Sequence, residues 1–97
     1  MTVPIRLQRD MGCTLAEFHR WLPGATRGAQ IETVGNLHRI YAAEGIVEIH
    51  LEEKPPRRIA SIILPILSVT FDFLEMPAEA RTSFLDYFDQ YTRRGGG

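Results

Sequence analysis

The sequence predicts an α+β domain, a two-layer sandwich in which an antiparallel meander sheet of five to six strands carries two helices on one face, ordered β-α-β-β-β-β-β-α. Two observations predict it. A single pairing register, followed turn by turn from residue 29 to residue 73, keeps alternate apolar residues on one face. Two segments with apolar residues at helical spacing, after Cys13 and after Met76, flank that run. With 97 residues, 44% of them hydrophobic, the chain fits one domain over residues 1–94 with one core, followed by a flexible glycine tail at 95–97.

At the N-terminus Val3, Ile5 and Leu7 alternate with Thr2, Pro4, Arg6 and Gln8, the pattern of a strand with one buried face. Pro4 places it at an edge or a strand start. Thr14 followed by Glu17 has the form of a capping box, in which each end of the first turn satisfies the other's free N–H. Leu15, Phe18 and Leu22 then recur at helical spacing with Trp21 beside them, and Pro23-Gly24 ends the helix.

Gly35-Asn36 suits a two-residue hairpin turn, which sets Ile31 opposite Ile40 and Thr33 opposite His38. A second turn at Glu44-Gly45 sets Ala42 by Val47, Ile40 by Ile49 and His38 by Leu51. Lys54-Pro55-Pro56-Arg57 lacks two backbone donors and reads as a loop, which puts Ile49 opposite Ala60 and Val47 opposite Ile62. A turn at Pro65-Ile66 then aligns Leu64 with Leu67, Ile62 with Val69 and Ala60 with Phe71. The rival is one long strand from Arg58 to Leu74, bent at Pro65. The last helix starts at Pro77, with Glu79 in its first turn and Ala80, Phe84, Tyr87, Phe88 and Tyr91 on one stripe.

Eleven basic against twelve acidic residues leave no overall field to gather phosphate backbones, so nucleic acid is not an expected partner. The longest apolar run, Ile59 to Leu67, is broken by Ser61 and Pro65, so no membrane span is expected. Arg6, Gln8, Arg9 and Asp10 interrupt any signal-peptide core, and one cysteine cannot form an internal disulfide; both point to the cytoplasm. The terminal Gly95-Gly96-Gly97 is similar to the Gly-Gly ending of ubiquitin-like sulfur carriers, whose thin tail enters an activating enzyme after leaving a strand. In this chain the tail follows a predicted helix, and Arg93-Arg94-Gly95 has the composition of a helix terminus.

Two helices of these lengths cover less area than one face of such a sheet offers. Sheet curl, the segment 23–29, a second protomer or a ligand must close the gap. On the opposite face the register gathers Arg39, Tyr41, Glu48, His50 and Asp72 beside Leu37, Ile46, Ile59 and Ile63, with Arg39 across from His50, Tyr41 from Glu48 and Ser61 from Thr70. Those five polar residues are the candidate interface. Trp21, Phe84 and Phe88 are the candidate cavity lining for a small ligand. Cys13, at a helix start whose dipole can lower a thiol's pKa, is the candidate catalytic residue. His19, His38 and His50 do not converge under this register, no standard metal-ligand spacing occurs, and neither metal nor cofactor is expected. The resulting expectation is a non-catalytic binding or assembly module, homodimeric or bound to another protein. A thiol-dependent enzyme or redox protein using Cys13, and a small-ligand binder, are the alternatives.

Overall fold

Residues 2–94 are described by the computed structural model. The elements are β1 (Arg6–Met11), α1 (Leu15–Ala25), β2 (Gln30–Val34), β3 (Leu37–Ala42), β4 (Gly45–Ile59), β5 (Ile62–Leu74) and α2 (Ala78–Arg94). The strands form one open antiparallel sheet ordered β1-β5-β4-β3-β2, so the chain has the α+β class that its patterning implies.

The capping box at the start of α1 is complete, with the Thr14 hydroxyl accepting from the Glu17 N–H at 3.1 Å and the Glu17 carboxylate accepting from the Thr14 N–H at 2.9 Å. The helix continues through Pro23 to Ala25 and does not stop at Pro23-Gly24. Gly24 is useful there because Tyr91 of α2 lies over it; a β-carbon at Gly24 would stand 2.1 Å from the Tyr91 hydroxyl.

The first hairpin has the expected register, Ile31 opposite Ile40 and Thr33 opposite His38, around a turn in which Gly35 has φ +58°. The second reverses one residue earlier than expected, at Ala43-Glu44, so Ala42 faces Gly45, Ile40 faces Val47 and His38 faces Ile49. Partners shift by two residues, an even number, and every inward side chain stays inward. Gly45 is needed as the first residue of β4: it has φ +154°, and a β-carbon would lie 2.9 Å from that of Met76.

Neither of the next two expected turns exists. β4 continues through Pro55 and Pro56, the chain reverses at Ala60-Ser61, and β5 continues through Pro65 as in the rival single-strand reading, though it starts at Ile62 and not at Arg58, which removes one strand from the expected order. Lys54 pairs with Ile66 and Arg57 with Leu64, so Pro55 and Pro56 together oppose Pro65 across a β-bulge. The prolines fit because of where their missing N–H groups would point. The Leu51 N–H donates away from β5, to Asn36, and the Phe73 N–H donates away from β4, to Ile5. By strand alternation Pro55 and Pro65 face these same outer sides, and the β4–β5 ladder needs no donor from either. Without a reversal at Pro65, Ile62 and Leu64 share a face with Thr70 and Asp72 and are not opposite Val69 and Leu67.

The core lies between the sheet and the two helices. Phe88 of α2 meets Phe18 of α1 at 5.8 Å between ring centres and Phe71 of β5 edge-on at 5.3 Å, and Phe84 packs edge-on against Phe73. Phe84 and Phe88 of α2 thus pack against Phe73 and Phe71 of β5, and Ile40, Val47, Ile49, Val69 and Phe71 are all fully buried. In α2, Leu85 and Thr92 are buried with Ala80 and Phe88, whereas Tyr91, placed on the buried stripe by spacing, is exposed. β1 starts later than the alternation of residues 2–8 implies, and Ile5 is exposed.

Candidate functional site

β1 pairs with β5 only as far as Met11 opposite Leu67, and β3 with β4 only from Leu37 opposite His50. Beyond those limits β4 and β5 continue as a two-stranded arm that the helices do not cover. It stretches the molecule to 44 Å along its longest axis and raises the radius of gyration to 13.6 Å, against about 12.5 Å for a compact chain of this length. The arm carries aliphatic side chains in solvent: Ile59, Ile62, Ile63 and Leu64 are 52%, 57%, 55% and 42% exposed. Its ladder is interrupted by the bulge at Pro55-Pro56, and Pro55 on one edge and Pro65 on the other remove donors that an added strand would use. Its faces are therefore better suited than its edges to contact another molecule.

No protein-family model matches the chain, and no curated protein is significantly similar to it.

Arg39, Tyr41, Glu48, His50 and Asp72 lie together on the face away from the helices, as the alternation implies. Their partners differ from the expected ones because the second turn moved: Arg39 stands opposite Glu48, Tyr41 opposite Ile46, and Ser61 sits in the tip turn instead of opposite Thr70. Arg39 Nε donates to Glu48 at 2.9 Å, the Tyr41 hydroxyl donates to Glu32, and Asp72 lies 3.5 Å from both His50 and Arg6. These charges are matched within the chain, as in a solvated face.

The expected lining of Trp21, Phe84 and Phe88 does not enclose a cavity. Trp21 and Phe88 are buried core residues, and only Phe84 borders open space. That space is a cleft of about 580 Å³ at the other end of β4 from the arm tip, between the end of α1, the β3–β4 turn and α2. Small side chains leave it open, among them Ala29, Ala42 and Ala80, and Met76, Phe84 and Tyr87 wall it.

Cys13 does not have the environment of an activated thiol. It is fully buried, and burial, followed by the neighbouring Glu17 carboxylate, pushes its pKa up to about 11. Desolvation outweighs the helix dipole that suggested a lowered value. The three histidines do not form one cluster, since His50 lies beside Asp72, but His19 and His38 meet: their Nε2 atoms are 3.1 Å apart, and His38 Nδ1 is 2.8 Å from the Thr33 hydroxyl. The placement of α1 over β3 creates this pair, and strand register carries no signal for it. Burial first, and His19 second, lower the pKa of His38. Among the described residues no group of three or more His, Cys, Asp or Glu side chains could hold a metal ion, and no helix is long and apolar enough to cross a membrane. The glycines expected to form a tail lie outside the described residues.

Proposed function

We propose that this chain is a non-catalytic assembly module that self-associates through the β4–β5 arm. The observation that carries the reading is Ile59, Ile62 and Leu64, each 42% or more exposed and on one side of an arm that no helix covers, with Ile63 exposed on the other side. Exposed contiguous apolar surface of this kind marks contact sites on other proteins, and closed two-fold pairing is the commonest way a chain satisfies it. The helices' failure to cover the whole sheet, anticipated from their lengths, is concentrated at the arm. Arg39, Tyr41 and His50 continue the same side of the sheet and would form the polar rim. The cytoplasm is the compartment proposed, supported by a single buried thiol.

Sedimentation equilibrium on the full chain tests the reading. The wild type should associate reversibly, and Ile62→Ser with Leu64→Ser should return a monomer with unchanged circular dichroism. A wild type that remains monomeric at millimolar concentration overturns self-association.

A further inference from the structure

The cleft between α1, α2 and the β3–β4 turn stands apart from the arm, at the other end of β4. Its volume of about 580 Å³ falls within the range of small-molecule sites, which combine apolar walls with a few placed polar groups. Two of its lining residues carry charge. Arg27 enters from the end of α1 and Glu44 from the β3–β4 turn. Among the described residues no carboxylate lies within ion-pair distance of Arg27, and no cation within that distance of Glu44.

The Arg27 side chain is nevertheless positioned. Its guanidinium carbon sits over the Tyr87 ring, 4.1 Å from its centre, and among the described residues its N–H groups make no ion pair. A planar fork of this kind is matched by a carboxylate, which it binds with two parallel hydrogen bonds. Glu44 on the same cleft opposes any excess of negative charge, so a dianion such as a phosphate monoester is disfavoured. Ala42, Ala80, Met76 and Phe84 offer apolar surface to the rest of the ligand, and the other polar lining groups, Thr26, Tyr41, Ser83 and Tyr87, are uncharged.

We propose that the cleft binds a small monocarboxylate with an apolar body, its carboxylate on Arg27 and its hydrocarbon part between Phe84, Met76 and the alanines. The proposal is independent of arm-mediated association, since the two surfaces lie at opposite ends of β4.

The test is an NMR titration of the isotopically labelled full chain with 3-phenylpropanoate as probe, alongside 3-phenylpropanol, its neutral counterpart. The expected result is saturable shifts of the backbone amides of Ala42, Ala43 and Ala80, with the alcohol binding at least about tenfold more weakly, as loss of a charge-assisted pair requires. Arg27→Gln should abolish the difference between the two probes while leaving the remaining spectrum in place. Arg27→Lys, which keeps the charge but not the fork, should retain part of it. Phenylalanine separates the contribution of Glu44: an added ammonium group should not weaken binding. Equal affinity for acid and alcohol, shifts outside the cleft, or no saturation at 10 mM probe would each overturn the assignment.

Discussion

Arg9 and Asp89 join the edge of the sheet to the C-terminal helix. The Arg9 side chain leaves β1, crosses the Phe71 ring at 5.2 Å from its centre and meets both carboxylate oxygens of Asp89, with Nη1 donating at 3.2 Å. Arg9 is thus a charged residue at an inward position of β1, and its Nε is buried without an acceptor. Asp89→Ala should therefore destabilise the fold by about 1–2 kcal/mol, because it leaves a partly buried cation alone. Arg9→Met should cost less, since the stem packing survives and one unsatisfied donor disappears. Urea unfolding of both variants checks the order.

Stability should fall on mild acidification. His38 has a folded pKa below its ordinary value of 6.5, so as pH falls through 6.5 the unfolded chain takes up a proton that the folded chain resists. The contribution is complete above 6.5 and is lost progressively below it. Melting temperatures measured from pH 7.5 to 5 should drop, and His38→Gln should flatten that dependence.

Gly45→Ala should be among the costlier single-methyl additions, about 1–3 kcal/mol, because the new carbon meets Met76 and the Glu75 carbonyl at a φ of +154°. Gly12→Ala is the control: nothing lies within 4 Å of its β-carbon. Thermal melts of the pair should separate clearly.

At concentrations low enough for the wild type to be monomeric, Ile62→Lys should leave melting unchanged and improve solubility, because Ile62 is 57% exposed on the arm. A large loss of stability would place Ile62 in the core, where the register with a turn at Pro65 puts it.

Cys13 should react slowly with iodoacetamide at pH 8 in the native state and quickly in urea. Its thiol keeps its proton to about pH 11 when folded and to about 9 when unfolded, so the stability it lends is present below pH 9 and lost as pH rises from there toward 11. Denaturant midpoints at pH 8 and 10.5, for wild type and Cys13→Ala, read this directly.

The fold was legible where sequence and local chemistry agree. Thr14 and Glu17 mark a helix start by themselves, Gly35-Asn36 marks a turn, and the even-numbered shift at Ala43-Glu44 left Ile40 and Ile49 on one face. Proline was the point of failure. Pro55, Pro56 and Pro65 look like turn residues until the hydrogen-bond direction of each strand is known, and only then does it emerge that the ladder needs no N–H from Pro55 or Pro65. Site residues on a strand could be grouped by parity, as Arg39, Tyr41 and His50 were. Those that depend on where a helix lands could not, which is why the His19–His38 pair and the Arg27 cleft emerge only in three dimensions.

The prolines of the arm bear on what kind of aggregate this chain can form. Endless fibres grow by stacking backbones edge to edge, each new strand taking donors from the last. An arm interrupted at the same level on both borders offers no such template along its length, so its greasy surfaces can be satisfied in a finite pair without seeding a filament.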